Sequence, residues 1–178
     1  MTDGAFKPIP QSAAENTERS RLSTYESYLL SAGQMVAEGR YQEAIRSLQD
    51  PQIPRRFGLD IKEGNTFGIN STSEEELRHL LASISIRSWF HIETREIEVP
   101  DVLVHEGVEV PAGFWHDLAL IHLEEWLHGM QTLNRGSLTG YEDSHDDIAA
   151  YFLIHGIPMT NRYVEFGGLQ AFVAAKST

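Results

Sequence analysis

Between Gly113 and Leu133 apolar and helix-forming residues run on without a proline, and this stretch constrains the fold more than any other. Phe114, Leu118, Ile121, His122, Trp126 and Gly129 share one broad face at helical spacing, so the segment reads as a helix largely covered by the rest of the chain. Yet Trp115 to Gln131 carries three histidines and several carboxylates among those apolar residues. Charged groups enter such a helix only when paired, hydrogen-bonded or bound to a cation. The core is expected to contain chemistry.

Composition narrows the setting. A length of 178 residues suits one domain with a full core. The absence of cysteine excludes disulfides, thiolate metal sites and thiol catalysis, and with no signal-like start or membrane-length apolar run it points to a soluble cytoplasmic protein. With 14 Lys+Arg against 26 Asp+Glu the net charge is -12, which repels phosphate backbones and anionic lipid. The expected partner is therefore a small-molecule or peptide substrate, not nucleic acid or a membrane. For residues 22 to 48 three roles stand open: the interface of a homo-oligomer, a cover for the cleft, or plain core.

Along the chain, residues 1–20 are polar and read as a mobile tail, with a single α+β domain over residues 21–178. Leu22, Tyr25, Leu29 and Leu30, then Tyr41, Ala44, Ile45 and Leu48, spell two helices broken at Gly39-Arg40. Gly39 to Ile45 resembles the middle of a tetratricopeptide repeat but occurs once, so a packed hairpin is expected rather than a solenoid. Loop with one or two short strands follows to Asn70. Ser71 to Ser73 offer caps for a helix from Glu74 to about Ser83. Ile84 to Ile92, Arg95 to Val99, and Val102 to Val110 folding back at Glu106-Gly107 predict a small, largely antiparallel sheet. After the helix from Gly113, Ser144 with Asp147 suggests a capping box for a second helix ending near Gly156, and a third begins after Thr160. Helices, then a sheet, then helices is α+β.

The sharpest chemistry lies in Glu124-Glu125-Trp126-Leu127-His128. Residues four apart stand one turn above each other, so Glu124 and His128 can grip one ion, with Glu125 about 100° round the helix beside it. This stretch resembles the zincin metallopeptidases, with Glu124 where their first histidine stands. The resemblance covers roughly residues 84–158. It implies metal ligation by Glu124 and His128, Glu125 as general base toward water, an extended segment over Arg95 to Val110 edging the substrate cleft, and a third ligand from a downstream helix. That ligand is sought among Glu142, His145, Asp146 and Asp147. His145 shares the apolar face of Ile148, Phe152 and His155 and is preferred, with Asp146 second and Asp147 either capping the helix or hydrogen-bonding a ligand histidine.

The expected cofactor is a divalent metal, zinc first; the harder, less selective carboxylate donor leaves more room for iron, manganese or an empty site than two histidines would. The expected function is metal-dependent hydrolysis of a peptide or other amide bond. Two alternatives stand beside it: an inactive zincin-derived scaffold or binding protein with a buried Glu/His network, and an iron-dependent carboxylate/His oxidoreductase. Glu125-x-x-His128 and Glu142-x-x-His145 form the paired element of di-iron bundles, though on too short a separation. His105, beside a turn, is a candidate for substrate contact. Serine-hydrolase elbows and phosphate loops are absent from the sequence.

Overall fold

The computed structural model of the chain describes residues 13–160 and Tyr163. Helix α1 spans Ala13–Ala37, so the segment expected as tail is helical from residue 13, while residues 1–12 lie outside the described residues. Extending a helix already anchored at Tyr25 and Leu29 adds one bond per residue fixed, and the intervening sequence holds good helix formers. The helix expected after Thr160 also lies outside the described residues, apart from Tyr163.

Gly39 ends α1 with φ of 81°, and Arg40 N–H reaches back to Met35 C=O at 2.8 Å. That glycine turn reverses the chain into α2 (Tyr41–Leu48), completing the hairpin. α3 (Gln52–Arg55), β1 (Asp60–Lys62) and β2 (Thr66–Ile69) follow. α4 runs from Glu74 to Arg87, capped by the Ser73 hydroxyl, which accepts from Glu76 N–H at 3.4 Å. It passes a full turn beyond Ser83 because Ile84 joins Leu77 and Leu81 on its buried face. Burial at helical spacing outweighs the β-propensity of that run, and the expected strand shrinks to β3 (Trp89–His91).

The strands form two small sheets, a mixed three-stranded one and a parallel pair, not one largely antiparallel sheet. β4 (Glu96–Glu98) pairs antiparallel with β3 but parallel with β1, while β5 (Asp101–Val104) pairs parallel with β2. Both parallel pairs are separated in sequence by α4, and a helical crossover returns the chain in its original direction. After Val104 the chain turns at Glu106-Gly107, where Gly107 has φ of 82°, but it enters α5 without a returning strand.

α5 (Ala112–Asn134) is the axis of this α+β fold, packed against α1, α2, α4, α6, β3 and β4. Trp126 is fully buried and fastens it to the hairpin: its indole stacks on Tyr25 and Tyr28 at 5.1 and 5.4 Å, and its Nε1 donates to Leu48 C=O at 2.9 Å. Tyr25 Oη donates to Trp126 C=O at 2.7 Å. Gly129 permits this approach, since a Cβ there would stand 2.9 Å from the Tyr25 oxygen. α6 (Ser144–Ile154) closes the described fold. No described helix is long and apolar enough to cross a membrane.

Candidate metal centre

α5 ends at Arg135, which adopts the left-handed conformation (φ 60°, ψ 36°) and turns the chain into the loop before α6. The cap of α6 is Asp143, not Ser144: its carboxylate accepts from the N–H groups of His145 and Asp146 at 2.8 and 3.1 Å. Aspartate is as strong a cap as serine, and here it stands one residue earlier. The shift releases Asp147 from the expected capping box and sets His145 in the first turn, facing α5.

Three side chains converge there. His128 Nε2 and His145 Nε2 each lie 3.8 Å from the same oxygen, Glu124 Oε2, and the three donor atoms fall within 4.8 Å of one another. The imidazoles stand nearly perpendicular, at 88° with centroids 5.3 Å apart. Ligand atoms about 2.1 Å from a tetrahedral ion are about 3.4 Å from each other, so a contraction of a few tenths of an ångström would complete coordination along the 3.8 Å edges. The other carboxylate oxygen of Glu124 is occupied, accepting from Tyr163 Oη at 2.5 Å. Glu124, His128 and His145 thus form a group that could hold a metal ion.

The surroundings orient the ligands. Gln131 donates through Nε2 to Ser144 C=O at 3.0 Å and to Asp147 Oδ2 at 2.9 Å, which turns its Oε1 toward His128 Nδ1 at 3.0 Å. Nδ1 therefore donates to Gln131, which leaves Nε2 as the ring nitrogen that faces Glu124. Asp147 is fully buried and bonded from several sides, accepting from Ser137 Oγ (2.7 Å), Leu138 N–H (2.9 Å), and Thr139 N–H and Oγ1 (2.7 and 2.5 Å). Burial would raise its pKa, but these donors outweigh burial and hold it below the usual aspartate value. It reaches His128 through Gln131 instead of directly.

Glu125 lines the same cavity of about 860 Å³ as the three converging residues. It is buried and makes no hydrogen bond among the described residues. Burial, reinforced by the Glu124 charge and partly offset by His128, pushes its pKa up to about 8. For His128, burial acts downward, but the Glu124 carboxylate and the charge of Glu125 prevail and raise it.

The other expected residues fall elsewhere. Asp146 is half-buried and outside the cavity lining; Glu142 is exposed and lines the cavity without joining the group, so the second Glu-x-x-His pair is split. The extended wall comes from Trp89 and Phe90 of β3, which packs on α5, and not from Arg95 to Val110. His105 is likewise exposed at its turn and away from this cavity. His122 is buried on another side of α5, its pKa pushed down to about 4 by desolvation.

Sequence reasoning missed Gln131, Tyr163, Ser137 and Thr139. Only Gln131 left a local signal, standing three residues after His128 on the same helical face. No family model, curated protein or solved structure matches the chain, so the assignment of this site rests on its geometry and chemistry.

Proposed function

We propose that the chain is a metal-dependent hydrolase of peptide or other amide bonds, with a zincin-like site in which Glu124, His128 and His145 hold zinc. The observation that carries this reading is the position of Glu125: a buried carboxylate without a hydrogen-bond partner among the described residues, in the same cavity as a two-imidazole, one-carboxylate donor set. Three protein ligands leave a coordination position open, as catalytic zinc sites require. A bound zinc ion would polarise the scissile carbonyl and lower the pKa of water to about 7.

The protein side of the reaction follows from the residues. Glu125 accepts a proton from the attacking water and delivers it to the leaving nitrogen as the C–N bond breaks, giving a carboxylic acid and an amine. Burial and the Glu124 charge favour the protonated form in the absence of a cation, and a cation in the group would favour the ionised base. Gln131 keeps His128 in the ligating tautomer. The donor set also suits non-haem iron, which supports an oxidoreductase as second reading.

Metal analysis of protein purified without chelator separates these. The expectation is about one zinc per chain in the wild type and under about a tenth in His128→Ala. Occupancy below about a tenth after incubation with zinc, iron and manganese would sink both readings. Glu125→Gln should keep the metal and lose amide hydrolysis by about 10²- to 10⁴-fold; full activity in that variant would remove Glu125 from the mechanism.

A further inference from the structure

Seven large apolar side chains stand exposed among the described residues, and four of them line this one cavity: Ile86, Trp89, Ile92 and Tyr141. Trp89 is 62% exposed and Ile92 71% exposed beside a buried polar centre. Isolated exposed apolar residues need no explanation, but a cluster rimming a concave site marks a surface that a ligand covers. Against the carboxylates of Glu124, Glu125, Glu142 and Asp147 the lining sets one arginine. Arg135 is exposed, stands in the left-handed turn after α5, and makes no ion pair among the described residues. At about 860 Å³ the cavity has the size of a small-molecule site, not of a long polymer groove.

We propose that the substrate is a small amide joining an apolar acyl group to an amino acid with a free carboxylate. The acyl group packs on Trp89, Ile86 and Ile92, and the carboxylate pairs with Arg135. Hydrolysis of such a molecule adds water across the acyl C–N bond and releases an apolar carboxylic acid and the free amino acid. The bond cleaved rests on the hydrolase reading above; the binding preference does not.

The test uses chelator-treated full-length chain, in both wild-type and Glu125→Gln forms, titrated by ligand-observed NMR. The probes are N-phenylacetylglycine, its uncharged glycinamide counterpart, and N-acetylglycine, which keeps the carboxylate but loses the ring. The acid with the ring should bind about tenfold more tightly than either control. Arg135→Asn, an exchange the left-handed position tolerates, should abolish the preference for the acid over the amide. Trp89→Ala should make the ring-bearing acid bind like N-acetylglycine. Affinities equal within about twofold for the three probes, or preferences that survive both substitutions, would overturn the proposal. Because the protein is metal-free and no turnover is read, failure of the metal reading leaves this result standing, and the reverse also holds.

Discussion

Asp147→Asn is the most informative single substitution. The wild-type carboxylate is an acceptor only, and its Oδ2 faces two donors, Gln131 Nε2 and Leu138 N–H, both at 2.9 Å. Its Oδ1 takes Ser137 Oγ, both donors of Thr139 and, at 3.1 Å, the longer branch of Leu138 N–H. The amide of asparagine keeps an oxygen on the more crowded side and sets an NH₂ where Oδ2 was, against two N–H groups. One charge-assisted hydrogen bond, from Gln131, is lost outright and Leu138 N–H falls back on its longer branch to the retained oxygen at 3.1 Å, so the expected destabilisation is about 2 kcal/mol. The loss is local to the loop before α6 and to Gln131, so zinc affinity should fall with stability, since both His145 and the His128 tautomer depend on that region. Urea unfolding of metal-free protein gives the first quantity, and competition with a zinc chelator the second. A pH series adds a check on sign: a carboxylate held below its unfolded pKa of about 3.9 stabilises the fold above that value, and the contribution is lost as pH falls through the folded pKa. The variant should lack this part of the acid transition. A destabilisation under about 1 kcal/mol with unchanged zinc affinity would refute the account of Asp147 as organiser of the loop and the site.

Gln131→Leu removes the bond to His128 Nδ1 with little change of volume, and zinc affinity should drop about 10- to 100-fold by the same competition assay. Gly129→Ala gains about 1 kcal/mol of helix propensity but drives a methyl to 2.9 Å from the buried Tyr25 oxygen; an overpacking cost of about 1–3 kcal/mol should leave a net loss measurable by urea unfolding. Zinc at about 100 times its dissociation constant should stabilise the wild type by about 2.7 kcal/mol in thermal melts, and His145→Ala should abolish the shift.

What was legible in the sequence was local. Glu124 and His128 lie one helical turn apart, and the apolar spacing around them called for a covered helix, so their side-by-side placement followed from helix geometry alone. The inward aim of His145 was readable from Ile148 and Phe152 on its face. The cap was misplaced by one residue because Asp143 and Ser144 are nearly equivalent in capping strength, and only the packed loop selects between them. The parallel pairings were out of reach for a different reason: β4 meets β1 across α4, and no local pattern records a partner so distant in sequence. Tyr163 and the donors around Asp147 come from separate turns of the chain that meet only after folding. The extended run from Ile84 shows tertiary burial reversing a local preference.

The hairpin's grip on Trp126 has a mechanical consequence. Two donors of the candidate centre sit on the turn of α5 that Tyr25, Tyr28 and Leu48 hold, while the third rides on α6, secured through the Asp147 loop. The site is thus one fixed jaw and one tethered jaw. An ion bridging them would join the two helices like a clasp, and amide hydrogens at the start of α6 should exchange more slowly when it closes.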